Sequence, residues 1–263
     1  MKKKIAIVTG GSSGIGLGIC KRLAKKNYKV YEFSRHQVPL PKGVTHITCD
    51  ISDAAQSKAA VAQVLSAEGR IDLLVNNAGF GVSGAVEFTE TADVRKQFDV
   101  NFFGLVDLTK EVIPVLRQQG SGCIVNVSSV ASPIAIPFQA FYSASKAAIT
   151  DYTLALKNEL RPFGIKVICI WPGDIATGFT DAREKSPLGD DVYHGKISKS
   201  VASMEKDERN GMSADVAGKQ IADICCKKHP APVYTIGSVY KLFVFLQRLF
   251  PQSFLYYIVG KLY

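Results

Sequence analysis

Tyr142 and Lys146 stand four residues apart in Tyr142-Ser-Ala-Ser-Lys146, so on a helix both side chains leave from one face. A free tyrosine, with a pKa near ~10, is a poor base at neutral pH. An ammonium a few ångströms away favours the phenolate and lowers that value. Such a pair can take a proton from an alcohol or return one to a carbonyl. Alone, it reads more simply as an amphipathic helix with a buried tyrosine and a surface lysine. Upstream lie Ser128, Ser129 and Ser132; a hydroxyl held against the reacting oxygen would orient it. A second patch of chemistry opens the chain: Thr9-Gly10-Gly11-Ser12-Ser13-Gly14-Ile15-Gly16. It follows an apolar run and precedes a helical stretch, the setting a phosphate-binding turn requires. Unpaired amides at a helix start carry partial positive charge and stabilise a pyrophosphate. Gly10 permits the turn, Gly14 leaves room for the ligand and Gly16 lets the helix pack close. Ser12 and Ser13 can donate further hydrogen bonds.

These residues need a scaffold, and the chain alternates to supply one. Short apolar, β-branched runs recur at Ile5–Val8, Lys29–Phe33, Val44–Thr48, Ile71–Val75, Cys123–Val127 and Lys166–Ile170. Helical spacing covers Ile15–Lys26, Ala54–Ala67, Asp93–Leu116 and Ala140–Leu160. Strands alternating with helices, with nearly unbroken apolar strand cores, predict an α/β fold. The expectation is one Rossmann-like domain over residues 1–263, a doubly wound parallel sheet with helices on both faces. The polar stretch 178–212 reads as an irregular loop serving as a substrate lid.

Composition is that of an ordinary globular chain, 47% hydrophobic and 21% charged. A formal net charge of +9 favours anionic partners or is simply a basic surface. No aromatic-interleaved basic stripe and no zinc-finger spacing occurs, so neither nucleic acid nor a metal is expected. The six cysteines show no C-x-x-C spacing and sit mostly in apolar runs, as reduced thiols of a cytoplasmic protein do. The apolar run after Met1-Lys2-Lys3-Lys4 is too short for a signal peptide.

The glycine spacing G-x-x-x-G-x-G resembles that of the short-chain dehydrogenase/reductase family, and further motifs match that family in order. They are Asn76-Asn77-Ala78-Gly79, Asn101 in DVNFFG, Ser129 in NVSSVAS, Tyr142-Ser-Ala-Ser-Lys146, and Trp171-Pro172-Gly173 followed by Thr177. The resemblance spans residue 3 to roughly 225 and implies a catalytic set of Asn101, Ser129, Tyr142 and Lys146. It assigns the serine by its distance of thirteen residues from the tyrosine, leaving Ser128 as a strand-end residue and Ser132 in a turn. Asn101 would act through its backbone carbonyl, holding a water that links the lysine to solvent. The resemblance also implies a nicotinamide cofactor held by Gly10, Ser12, Ser13, Gly14, Ile15 and Gly16. Asp50 and Ile51 would meet adenine, and Asn77, Ala78 and Gly79 the middle of the dinucleotide. Tyr142, Lys146, Pro172, Gly173, Ile175 and Thr177 would meet the nicotinamide end. The acidic position that selects NAD falls on Ser34 and a guanidinium follows at Arg35, which favours NADP(H). Glu32, two residues earlier, is a counter-signal.

The C-terminal stretch 238–263 is an apolar tail: Ser238–Phe250 carries Lys241 and Arg248, Pro251 interrupts, and Phe254–Val259 follows. Neither piece can span a bilayer. Peripheral docking on a membrane, closure over an apolar cleft, and a subunit contact or extra core helix all stay open. Tails of this character resemble the family's lipid-handling branches. Together with Phe80, Val82, Pro133–Phe138, Phe141 and Phe179 near the tyrosine, the tail predicts a bulky apolar substrate, also anionic if the net charge is used. A hydroxysteroid or bile acid is the leading expectation, with acyl-dihydroxyacetone phosphate or a retinal-type carbonyl as alternatives and a cofactor-binding sensor as the non-enzymatic one. Family precedent implies a homodimer or homotetramer.

Overall fold

The computed structural model describes residues 3–262. In chain order the strands are β1 (Lys4–Thr9), β2 (Tyr28–Ser34), β3 (Val44–Thr48), β4 (Leu73–Asn76), β5 (Val82–Ser83), β6 (Gly122–Val127), β7 (Ile165–Pro172), β8 (Ile175–Ala176), β9 (Glu184–Lys185), β10 (Met212–Ser213) and β11 (Val233–Ile236). The helices are α1 (Gly14–Lys25), α2 (Ala54–Glu68), α3 (Thr91–Phe98), α4 (Gly104–Gln119), α5 (Ala140–Leu160), α6 (Phe179–Ala182), α7 (Lys196–Arg209), α8 (Ala214–Cys225), α9 (Ser238–Gln247) and α10 (Gln252–Leu262). Seven strands form one sheet in the order β3-β2-β1-β4-β6-β7-β11, every pair parallel. The order reverses at β1 and β4, and an open parallel sheet holds its ligand outside the strand ends at such a point.

Strand alternation divides the core in two. Ile5 and Ile7 of β1 pack with Val64 of α2, Leu108 and Val112 of α4 and Leu156 of α5. Ala6 and Val8 face the other way, against Ile19 and Leu23 of α1 and Ala217 and Ile221 of α8. Both faces of the sheet are therefore largely dry, which is why the central runs are mostly apolar. Helix ends are set by local chemistry. Asp53 accepts from the amides of Ala55 and Gln56 at 2.8 and 3.1 Å to start α2, and Gly69, at φ 68°, ends it. Between α1 and α8 the backbones meet at Gly18 and Gly218, and a Cβ on Gly218 would collide with Gly18. All six cysteines are unpaired, five of them buried and Cys226 exposed.

Three stretches depart from the sequence expectation. Asp93–Leu116 is not one helix: α3 and α4 are joined by a π-helical turn at Asp99–Phe103. The wide turn sets Gly104 against the carbonyl of Ile51, where a Cβ would clash. Residues 178–212 are not an irregular loop either. They hold α6, the strand β9 paired to β5, and α7. Ile197, Ser200 and Met204 are buried along one face of α7, an inward stripe hidden by the polar residues around it. The edge strand β11 and the helix α8 lie beyond the runs identified from sequence.

Candidate active site

The ends of β1, β2, β4, β6 and β7 open into one cleft of about 520 Å³. At its first end the Thr9–Gly16 turn carries the chain from β1 to α1. Gly10 and Gly14 take the left-handed conformation, at φ 64° and 52°. A Cβ on Gly16 would collide with the carbonyl of Gly10, so Gly16 supports the turn from below while Gly10, Ser12, Ser13, Gly14 and Ile15 line the cleft. Ser13 caps α1 without using its side chain, which leaves the first-turn amides and that hydroxyl available to an anion. The turn is tied to its neighbour: Thr9 Oγ1 accepts from the amides of Asn77 and Ala78 at 2.9 and 3.0 Å, and Asn77 Nδ2 donates to the Thr9 carbonyl at 3.0 Å.

Ser34 ends β2 at the cleft's far end and Arg35 and His36 follow it, while Asp50 and Ile51 follow β3 there. Glu32 is fully buried, hydrogen-bonded to the His46 ring, and accepts from Ser34 Oγ at 3.1 Å. It does not line the cleft. His36 gave no sequence signal beyond its place after Arg35.

Tyr142, Lys146 and Ser129 converge at the other end. Ser129 hydrogen-bonds the phenol of Tyr142 and accepts from the amide of Ala131 at 3.0 Å. Lys146 is buried, lies 5.7 Å from the centre of the Tyr142 ring and donates to the Val127 carbonyl at 3.1 Å. Ser128 is more than a strand end. Its hydroxyl donates to the Lys146 carbonyl at 2.6 Å, and Thr150 Oγ1 bonds it at 3.1 Å while accepting from Trp171 Nε1 at 2.9 Å. This buried network fixes the turn of α5 that carries the lysine.

Asn101 sits in the π-helical turn, buried and off the cleft wall. Its carboxamide grips the Phe80 peptide at both ends, accepting from the amide and donating to the carbonyl, each at 3.0 Å. Gly79 lies between it and the lysine: a Cβ there would lie 2.9 Å from Asn101 Oδ1 and 3.5 Å from Lys146 Nζ. A buried polar layer behind, Asn76 to Asn126 at 2.8 Å and Asn126 to Thr153 at 3.0 Å, joins β4, β6 and α5. Asn126, inside an apolar strand run, went unnoticed in the sequence.

The titration of the pair differs from the sequence expectation. Burial pushes the Tyr142 phenol up to about 12, with the Ser129 bond pulling the other way, and burial pushes Lys146 down to about 8. The ammonium lies beside the ring and donates to a carbonyl, so it does not offset desolvation of the phenolate.

Pro172, Gly173, Ile175 and Thr177 complete this end of the cleft. Of the apolar residues expected there, Phe80, Ile136 and Phe179 line it; Val82, Phe141 and the rest of Pro133–Phe138 do not. Met204 and Glu208 from α7 line it as well. Glu208 ion-pairs with the buried Arg183 and accepts from Thr180 Oγ1 at 2.7 Å, clamping α6 to α7. Gly173 lies under the ring of Tyr240 from α9, and a Cβ there would overlap it. The Tyr240 hydroxyl bonds Asp174, whose carboxyl burial pushes up to about 6 against the pull of that bond.

Comparison with known proteins gives this arrangement a family. The short chain dehydrogenase family model matches residues 4–187. The chain is 36% identical to a 3-ketodihydrosphingosine reductase of Bacteroides thetaiotaomicron over 100% of this chain and 99% of that protein. It is 34% identical to the NADPH-dependent 1-acyldihydroxyacetone phosphate reductase of Saccharomyces cerevisiae, covering 88% and 82%. A solved short-chain dehydrogenase from Streptomyces avermitilis superposes with a TM-score of 0.83 at 28% identity, covering 92% of this chain and 91% of that one. The glycine turn, the cleft at the switch in strand order and these similarities together make the chain a member of the short-chain dehydrogenase/reductase family of nicotinamide-dependent oxidoreductases.

Proposed function

We propose that the chain is an NADPH-dependent reductase that interconverts a ketone and a secondary alcohol on a long-chain, lipid-like substrate. The observation carrying this reading is the convergence of Ser129, Tyr142 and Lys146 at one end of a cleft whose other end holds Arg35. The cofactor supplies hydride to the substrate carbon when bound. Tyr142 then gives its phenolic proton to the carbonyl oxygen, and Ser129 orients that oxygen through its hydroxyl. A phenol held up at about 12 is protonated at neutral pH, the state a proton donor needs. Lys146 would return a proton to the phenolate, resupplied from solvent through a water held by the backbone carbonyl of Asn101.

The cradle fits a dinucleotide, since its closest-packed positions are glycines that a side chain would fill. Ser34, Arg35 and His36 favour the 2′-phosphorylated form: no carboxylate lines the cleft at the end of β2, and Arg35 can meet a phosphate in a forked, charge-assisted contact. Phe80, Ile136, Phe179 and Met204 favour an apolar substrate. The names of the Bacteroides and Saccharomyces relatives describe ketones borne on lipids, which moves the preference from a hydroxysteroid or bile acid to a chain-borne ketone.

The test follows NADPH absorbance with purified protein and 3-ketodihydrosphingosine, 1-acyldihydroxyacetone phosphate, oxo-bile acids and retinal. Turnover on one of the first two, lost in Tyr142→Phe, is expected. Turnover confined to an oxo-bile acid would restore the steroid reading. Tight NADPH binding with no turnover on any of them would favour a sensor.

A further inference from the structure

We propose that α9 and α10 form an interfacial anchor that seats the chain on an anionic lipid surface. Helix α9 has two apolar sides. Tyr240 and Val244 turn inward, Val244 into a small cluster with Cys169 and Trp171. Val239, Leu242 and Phe243, spaced as one helical face, turn outward and are 44–59% exposed, and Leu249, in the turn just past the helix, is 62% exposed. Helix α10 continues the surface with Phe254, Tyr257 and Ile258. Ten of the sixteen large apolar side chains exposed among the described residues lie between 239 and 258, so the exposure is concentrated there and calls for an occupant.

Charge identifies that occupant. From Ser238 to Leu262 the chain holds Lys241, Arg248 and Lys261 and no acidic residue. A second copy seated on this surface by a twofold would set cations against cations, at a cost in desolvation. A layer of phosphatidylglycerol headgroups supplies the missing anions. The tyrosines suit the headgroup level, where an apolar ring with a polar tip is favoured. Among the described residues no helix is long and apolar enough to cross a membrane, and α9 and α10, with ten and eleven residues, fit a helix lying in the interface. Through Tyr240, α9 also touches Gly173 on the cleft wall, so docking brings the reductase cleft beside the lipid; that consequence rests on the proposed function, while the docking does not.

The experiment is co-sedimentation of the full chain with vesicles of phosphatidylglycerol or phosphatidylcholine. At least tenfold more protein should pellet with the anionic vesicles, and Lys241→Gln should lower that binding by about fivefold. Leu242→Glu with Leu249→Glu should reduce it at least tenfold while the unfolding temperature and NADPH affinity stay unchanged. Equal pelleting with both vesicle types, or none, overturns the proposal. So does a double variant that binds vesicles like the parent and turns a dimer into a monomer in light scattering, because the surface is then a subunit contact. No readout requires turnover, so failure here is distinguishable from failure of the reductase reading.

Discussion

The two halves of the cleft are built by different means. The dinucleotide half is made of backbone: a turn of glycines, strand ends, and loops tied to one another by Thr9 and Asn77. Its shape depends on where side chains are absent, as at Gly16. The substrate half is walled by side chains from α6 and α7, held by the Arg183–Glu208 pair and backed by Tyr240 of α9 through its contact with Gly173 and its bond to Asp174. Backbone tolerates little, because a displaced peptide moves everything attached to it. Side-chain walls can be repapered, which is how one cofactor cradle serves many substrates.

The seam between the halves should give the largest effect. Tyr142→Phe removes the proton donor and should lower kcat by about 10²–10⁴, with NADPH affinity in a fluorescence titration almost unchanged. Lys146 comes next, through stability. Its pKa falls from the ordinary 10.5 to about 8 in the folded chain, so between those values the unfolded chain holds a proton that the folded chain has released, and stability rises with pH. Below pH 8 the buried ammonium costs the fold roughly 3 kcal/mol at 1.36 per unit. Lys146→Met should therefore be the more stable protein at pH 7, with the gap closing toward pH 10.5 in denaturant melts. Parallel curves would show the lysine to be solvated.

Within the dinucleotide half, Arg35→Ala should weaken NADPH binding by about ten- to a hundredfold, the loss of a charged hydrogen bond, and leave NADH binding alone. An equal loss for both cofactors would remove Arg35 from phosphate selection. Gly16→Ala overpacks the turn and should cost about 1–3 kcal/mol, read in thermal unfolding and in NADPH titration together. The rim of the substrate half gives the smallest effect. Lys96 and Glu184 pair at 2.6 Å, but with side chains 58% and 39% exposed. Glu184→Gln should shift stability by less than about 1 kcal/mol, and a larger loss would mean that the β5–β9 pairing depends on it.

The same division decided what could be read in advance. The backbone half is encoded locally: Thr9–Gly16 and Asn76–Gly79 are each contiguous, and of the residues expected to hold the cofactor only Gly16 stands off the cleft wall. Five of the six large strands read from sequence follow from apolar runs that need burial on both faces, and β3, an edge strand with only Ile47 buried, from its β-branched Val44, Thr45, Ile47 and Thr48. Strand β11 escaped because Val233, Tyr234 and Thr235 are only partly buried at a sheet edge, where the demand for apolar residues relaxes. Helix α7 escaped because the residues that meet the cleft, Met204 and Glu208, are placed by tertiary contacts such as Gln139 to Met204. The direction of the Tyr142 shift escaped for a related reason. Spacing reveals that a lysine is near, and only coordinates reveal that its ammonium donates elsewhere while the phenol is desolvated.

The contact between α1 and α8 carries a consequence for how such a chain can vary. Most packed pairs are exchangeable, a larger residue on one side being accommodated by a smaller one opposite. Gly18 and Gly218 meet backbone to backbone, and neither has a side chain left to give up. No second substitution at the partner can rescue a methyl group gained at either position. The pair is thus a dead end for compensatory drift, and a lineage carrying it can leave only by moving a whole helix.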